Sequence, residues 1–396
     1  MLTPLSAIAV LVGTALWWFP GLLLLIRQRS TPSLDDFPDE PSLAEQAPRV
    51  SIVLPARNEA AHIVACVQSI CASTWPNLEL IVVDDHSTDD TGALARDAAV
   101  GDARVRIVSA PDLPNGWFGK QWACEVGASY ATGSLLLFTD ADTRHAPDLV
   151  GRTVAAREAR GAELMSVAGH QDAVTIWEQA VQPSVFILIL SRYGGGRAIE
   201  QARRAADVIA NGQCFMMSRD GYNAVGRHEA VRRYVAEDLM MAQAVWRLGK
   251  RVSLVMGAAQ LRTRMYDGLA SLMRGWGKNI YAGGRQAVLG GAIGRALYPV
   301  LLPLLPIAML APFAMLAYAA VLFVGGAPMT ASWLLVSLLT ALGVLFTFAQ
   351  AARINRDPLY RALLAPVGAA VLLVICLQSV WRGQRVEWKG RAYHTH

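Results

Sequence analysis

The stretch Ser134 to Thr143, SLLLFTDADT, decides the fold. Its apolar run, Leu135 to Phe138, is short enough to be one buried strand of a parallel sheet. The run stops abruptly on Asp140-Ala141-Asp142. In extended chain, residues two apart point to the same side. Both carboxylates are therefore expected at one spot beyond the strand's carboxyl end, where open α/β sheets bind their ligands. Two hard oxygen ligands suit Mg²⁺ or Mn²⁺, which takes one or two carboxylates plus substrate phosphates. The competing reading is a solvated acidic turn.

Working outward, the same plan recurs. VSIVLPARNEA, Val50 to Ala60, is a β-branched strand that stops at Pro55 and gives way to Arg57, Asn58 and Glu59. LELIVVDDHSTDDT, Leu78 to Thr91, is an apolar strand ending on Asp84-Asp85, with Ser87 and Thr88 as helix caps. Val105 to Val108 is a further strand. Strands alternating with helical stretches argue a doubly wound, mainly parallel α/β sheet. No G-x-G-x-x-G follows the first strand and no G-x-x-x-x-G-K-[ST] occurs, so dinucleotide and P-loop readings lose support. Acidic strand ends are the device of this domain.

The 396 residues exceed one ordinary core. Apolar residues make up 54% and charged ones 17%, which is rich for a soluble protein. Net charge is +5, but the basic residues do not interleave with aromatics as on a nucleic-acid surface, so no nucleic-acid partner is expected. Cys66, Cys71, Cys124, Cys214 and Cys376 show no metal-ligand or paired spacing, which fits reduced thiols facing a cytosol.

The apolar excess sits in blocks. Leu5 to Ile26 is long enough to span a bilayer and is followed by Arg27 and Arg29, which place its carboxyl end in the cytoplasm. Without a basic amino-terminal region or a small-residue cleavage site it reads as an anchor. Gln28 to Pro48, with Pro32, Pro38, Pro41 and Pro48, reads as a linker. Leu297 to Val324, Trp333 to Ala349 and Leu363 to Val380 follow a long water-soluble section. The chain thus divides into an anchor and linker (1–48), a catalytic domain (49–290) and a membrane region with a basic tail (291–396). Length favours three late crossings, which would carry the tail to the outer face. A dip and return at Pro303, Pro306 and Pro312 would keep it inside.

Four motifs in order, VSIVLPARNE, IVVDDHSTDDT, TDADT and EDLMMAQAVWRLG, resemble the inverting family 2 glycosyltransferases of GT-A fold over Arg49 to about Gly283. GWFGKQWAC, NGQCFMMSRDGY, VGRHEAVR, RMYDG, GWGKN and the tail VEWKGRAY look like a membrane-bound branch that includes hopanoid-associated and carotenoid glycosyltransferases. The resemblance implies a nucleotide-sugar donor, UDP-linked, with Asp142 as the nearer ligand of Mg²⁺ or Mn²⁺ and Asp140 nearer the ribose. It assigns Asp85, or Asp84 beside it, to the uracil ring, and Pro55, Arg57 and Glu59 to the floor of the nucleotide pocket. Lys120 is a point-charge partner for phosphate; the alternative is an ordinary exposed lysine.

Glu237-Asp238 opens an apolar-periodic stretch that Gly249 can close, and a carboxylate at a helix N-terminus is held ionised by the dipole. By resemblance Asp238 is the base that deprotonates the acceptor hydroxyl and Glu237 supports it. An acidic pair that only favours the helix is the alternative. Asn211 and Gly212, with Arg274 and Trp276, fall on the acceptor side; Trp276 also suits an interfacial anchor. Processive synthases of the family carry Gln-x-x-Arg-Trp, whereas this chain has Ser271-Leu272-Met273-Arg274-Gly275-Trp276, which favours a single transfer. Ala173 to Leu190, interrupted by Glu178, Gln182 and Pro183, reads as an interfacial segment or a buried helix. Together these features imply a lipid acceptor at a bacterial inner membrane, with the catalytic domain facing the cytoplasm. A polyprenyl-phosphate sugar synthase, a sugar polymerase and a noncatalytic membrane scaffold of similar fold remain as alternatives.

Overall fold

The structure, a computed structural model, describes residues 4–39, 47–288, 290–326, 331–383, 385–389 and 391–394. Pro41 of the expected linker and Gly390 of the tail motif lie outside these residues. The apolar runs of the sequence become β1 (Val50–Ala56), β2 (Leu78–Asp84), β3 (Val105–Ser109) and β4 (Leu135–Thr139). After them come β5 (Thr143–His145), β6 (Leu164–Ala168), β7 (His170–Gln171), β8 (Cys214–Ser218), β9 (Val252–Met256) and β10 (Leu261–Thr263). A terminal hairpin, β11 (Arg385–Trp388) and β12 (Arg391–His394), closes the chain.

The main sheet has seven strands in the order β3-β2-β1-β4-β8-β6-β9. β1 lies parallel to β2 and β4, and β2 to β3. β8 runs antiparallel between β4 and β6, so the sheet is mixed rather than uniformly parallel. The cause is where the chain enters. Cys214 pairs with Thr139 at the carboxyl end of β4, and from there a strand can only run back. This reversal brings Asn211 to Gln213 to the ligand end of the sheet.

Helices cover both faces: α2 (Ile63–Cys71), α3 (Thr91–Ala98), α4 (Gly119–Tyr130), α5 (Leu149–Arg160), α6 (Ile176–Tyr193), α7 (Gly196–Glu200), α8 (Arg219–Ala224) and α9 (Glu237–Arg247), after α1 (Pro4–Ser30) at the start. Leu135 and Leu137 pack into one apolar cluster, and Leu136 and Phe138 into another on the opposite face. That two-sided burial is why β4 reads as a continuous apolar run. Each such Leu or Phe contributes about 1.5–3 kcal/mol relative to exposure.

α10 (Leu269–Ala287) ends the catalytic domain, and the membrane region holds α11 (Gly291–Leu301), α12 (Leu304–Val324), α13 (Ala331–Ile354) and α14 (Ala365–Arg382). Among the described residues, three helical stretches, Gly291–Val324, Trp333–Ile354 and Leu359–Arg382, are long and apolar enough to cross a membrane. α1 and α13 run side by side in the same direction, with Gly343 against Trp17 and Gly21 against Phe346. α13 ends on the catalytic domain, where the Asn355 Nδ2 donates to the Gln171 carbonyl at 3.1 Å.

Three late crossings would put the tail across the membrane from the catalytic domain, and the structure differs. Arg361 Nη2 donates to the Ala173 carbonyl (3.2 Å) before α14, and Ser379 Oγ to the Gly277 carbonyl (2.9 Å) near its end. Beyond it, Arg391 reaches Asp85. Both ends of α14 therefore lie on the catalytic side. Hydropathy marks α14 as apolar without revealing that much of its surface packs on α6 and α10. An added Cβ at Gly368 would run into the Ala180 carbonyl of α6. α6, the segment read as interfacial or buried, has Glu178 buried and paired with Arg264 at 3.3 Å while Ile176 and Trp177 in its first turn stay exposed.

Candidate active site

Three strand ends and two helix starts build the site. Past β1, the Asn58 backbone is left-handed (φ 51°). This turns Glu59 back so that its N–H donates to Thr91 Oγ1 at 2.7 Å. Arg57 Nη1 donates to the Asp85 and His86 carbonyls at 2.5 and 2.8 Å, tying the end of β1 to the loop after β2. Asp84 and Asp85 separate. Asp84 Oδ1 accepts the Ser87 N–H (3.1 Å) and closes the turn, whereas Asp85 is buried and lines the cavity.

Asp85 is not an empty acceptor. Arg391 donates to both its oxygens, Nη1 to Oδ2 at 2.6 Å and Nη2 to Oδ1 at 3.2 Å. Burial pushes the Asp85 carboxyl up and the Arg391 guanidinium opposes it. The same hairpin turn sets Lys389 Nζ on Glu59 Oε1 at 2.5 Å. Neither cation was assigned a role from the sequence. The only signal was the basic tail motif itself, and contacts spanning more than 300 residues leave no local trace.

Past β4, a buried hydroxyl network shapes the Asp140-Ala141-Asp142 loop. Thr139 Oγ1 donates to the Gln213 carbonyl (2.8 Å) and lies 3.0 Å from His145 Nε2. Thr143 Oγ1 donates to the Asp140 carbonyl at 2.7 Å. Burial depresses His145 to about 3, so it acts as a neutral hydrogen-bonding strut. Asp140 and Asp142 line one cavity, as the alternation predicts. Their environments differ. Asp140 Oδ1 pairs with Lys120 Nζ at 2.7 Å. Asp142 Oδ1 is buried without a partner, and burial, Asp140 and Glu59 together push its carboxyl up to about 8.

That orphaned buried oxygen beside a second carboxylate is the condition a divalent cation would relieve. Asp142 and Asp140 are the residues that would hold it. Among the described residues no group of three or more His, Cys, Asp or Glu side chains is arranged to hold a metal ion by itself. A metal here would therefore need ligands from a substrate, which is how Mg²⁺ commonly binds.

Lys120, in the first turn of α4, joins the two halves of the site. Its Nζ lies 2.7 Å from both Asp140 Oδ1 and Glu237 Oε1, so it stays protonated. Burial raises the Glu237 carboxyl, but Lys120 overrides it and holds Glu237 ionised. Asp238 behaves otherwise. Its Oδ2 accepts the Gly212 N–H at 2.7 Å and its Oδ1 the Leu239 N–H at 2.8 Å. Burial and the neighbouring Glu237 still push it up to about 6, against the helix dipole that was expected to keep it fully ionised. Gly212 is required here, because a Cβ would stand 2.8 Å from Asp238 Oδ2. Gly249, with φ 71°, follows the end of α9 as anticipated.

On the far side, Asn211 Nδ2 donates to the Val167 carbonyl at 3.0 Å, so Asn211 braces the loop that presents Gly212. Arg274 and Trp276 of α10 line the cavity. Trp276 is only 6% exposed, packed 5.9 Å from Tyr266 between ring centroids, which excludes the bilayer-anchor reading. Lys278, two residues on, was missed: the sequence gives a lysine in GWGKN, and only the fold brings it near Glu237. Burial lowers it to about 8.

The cavity measures about 2100 Å³. It is lined by Arg57, Glu59 and Asp85, by Lys120, Asp142 and Asp238, and by the apolar Phe186 and Ile189 of α6 with Leu302 and Leu305 at the start of the membrane region. Ordinary ligand pockets are roughly 300–1,000 Å³, so the space exceeds one small ligand.

Residues 51–226 match the model of Glycosyl transferase family 2. A 4,4'-diaponeurosporenoate glycosyltransferase of Staphylococcus haemolyticus is 26% identical over 250 residues, 62% of this chain and 64% of the relative. One of Staphylococcus aureus is 28% identical over 254 residues, with the same coverage. The chain thus spans a little under two thirds of these relatives' length. A mannosyltransferase of Pyrobaculum calidifontis, solved with GDP-Man and Mn²⁺, superposes with a TM-score of 0.56 at 21% identity, covering 95% of this chain and 99% of that one. The sheet order and this likeness give the GT-A fold.

Proposed function

Since residues 51–226 match the model of Glycosyl transferase family 2, we propose that the chain transfers one sugar, with inversion, from a UDP-linked donor to a lipid acceptor at the membrane. The observation that carries this reading is the single cavity running from Asp85 past Asp142 and Asp238 into apolar helices. The nucleotide lies over Pro55, Arg57, Glu59 and Asp85. A divalent cation held by Asp142 and Asp140 would stabilise charge developing on the departing nucleoside diphosphate. The names of the Staphylococcus relatives and the Mn²⁺ bound to the Pyrobaculum enzyme agree with this reading.

Asp238 accepts the proton of the acceptor hydroxyl. It is fixed by two backbone N–H donors, and its pKa of about 6 keeps it largely ionised at neutral pH yet basic enough to take a proton. Glu237 and Lys120 hold each other and set the charge around it. The lipid tail lies among Phe186, Ile189, Leu302 and Leu305, and the catalytic domain faces the cytoplasm with Arg27 beside it at the end of α1. Arg274 and Lys278 on the acceptor side favour a second reading in which the acceptor head group is itself an anion, needing no base.

The direct test is incubation of the purified full chain with UDP-sugars and a lipid extract, followed by mass analysis. One added hexose on a lipid is expected; long polysaccharide or transfer only to soluble sugars refutes the reading. For the base, kcat/KM should rise with pH through about 6, because protonated Asp238 cannot accept a proton. A profile without that limb between pH 5 and 7 removes Asp238 from the role.

A further inference from the structure

The reach of the terminal hairpin into the cavity is the feature the proposed reaction leaves unused. Arg391 grips a carboxylate that is itself buried, and its own side chain is 20% exposed. Arg57 Nε donates to the Lys389 carbonyl at 3.3 Å, pinning the turn from below. Lys389 is left-handed (φ 45°), as tight hairpin turns require. These contacts aim the Lys389 ammonium into the cavity it lines. It donates to Glu59 Oε1 at 2.5 Å and to the Asn58 carbonyl at 3.1 Å. An ammonium has three N–H donors, so two protein acceptors leave one.

The place of that ammonium matters. Glu59, its partner, lines the same cavity as Asp85, Asp140 and Asp142, so the Lys389 ammonium faces the space that joins the Asp85 end to the Asp140-Asp142 end. A nucleotide whose base lies at Asp85 and whose sugar lies at Asp142 must thread its two phosphates between them. This stretch carries Glu59, Asp89, Asp140 and Asp142, a poor surroundings for a dianion unless cations are supplied.

We propose that the C-terminal hairpin completes the donor site: Arg391, anchored on Asp85, positions Lys389 so that its ammonium holds the diphosphate of the nucleotide sugar. An ionised carboxylate has about four lone-pair sites, so Asp85 holds Arg391 on two and keeps others for a ring N–H. Glu59 keeps the lysine in place when the site is empty. The inference rests on the nucleotide-sugar reading above.

The test is nucleotide binding to the full chain in detergent with Mn²⁺, comparing UDP with uridine, and GDP with guanosine, by displacement of a fluorescent nucleotide. Lys389→Gln should weaken the diphosphate about tenfold and leave the nucleoside unchanged, because only the phosphates meet the charge. Arg391→Gln should give a similar loss, and adding Lys389→Gln to it should cost little more, since the two act as one device. Equal diphosphate affinity in Lys389→Gln and wild type overturns the proposal. So does an equal loss for nucleoside and diphosphate, which marks a structural role. Wild-type protein that binds neither UDP nor GDP refutes the donor reading itself.

Discussion

Asp238→Asn will lower transfer by roughly 10²–10⁴-fold, the usual contribution of a positioned base, while leaving nucleotide-sugar binding intact. The substitution keeps shape, and its amide oxygen can still accept the Gly212 N–H now 2.7 Å from Oδ2, while the Leu239 N–H loses the acceptor it has in Oδ1. It removes the capacity to take a proton and one local backbone contact, and touches nothing on the nucleotide side. The buried Glu237–Lys120 pair next to it stays closed, so the nucleotide side of the cavity is undisturbed. Transfer assays and equilibrium binding on one preparation separate the effects. Comparable loss of donor binding removes the base assignment. Retained transfer shifts the weight to an acceptor already ionised at neutral pH.

Asp142→Asn will lower turnover on the order of 10³-fold, because several kcal/mol of charge stabilisation at the leaving group would come from the ion that Asp142 and Asp140 are proposed to hold. The same change will raise the melting temperature of the metal-free protein. Asp142 Oδ1 is buried and unpartnered, and three causes disfavour its charge: burial, Asp140 and Glu59. Asparagine carries no charge for burial and those two carboxylates to oppose, and relief of about 1 kcal/mol raises Tm by about 2–4 °C for a domain of this size. Gain of stability with loss of activity is the signature of a site strained for its ligand. Undiminished turnover, or a fall in Tm, is the contrary result.

Much of this arrangement is legible in the residues. β1, β2 and β4 announce themselves because strands buried on both faces are continuously apolar, and Asp85, Asp140 and Asp142 follow from where those runs stop. The helix opened by Glu237-Asp238 and closed near Gly249 is marked by its acidic first turn and by Arg247 in its last. Other features leave no local signature. The antiparallel direction of β8 depends on the end at which the chain arrives, which CFMMS cannot encode. α14 has the composition of a crossing helix, yet its partners α6 and α10 are distant in sequence. Lys120 reads as a phosphate partner or an exposed lysine, and only the fold shows Asp140 and Glu237 on either side of it. Lys389 and Arg391 meet the strand ends only because both termini of α14 stay on the catalytic side.

The central claim is that Asp140 and Asp142 together hold a cation against a nucleoside diphosphate. Electron paramagnetic resonance of Mn²⁺ titrated into the full chain with UDP reads this without relying on turnover. The account predicts a bound-Mn²⁺ signal that appears with UDP in the wild type and vanishes in an Asp140→Ala/Asp142→Ala double variant. Equal Mn²⁺ binding by the two proteins would contradict it.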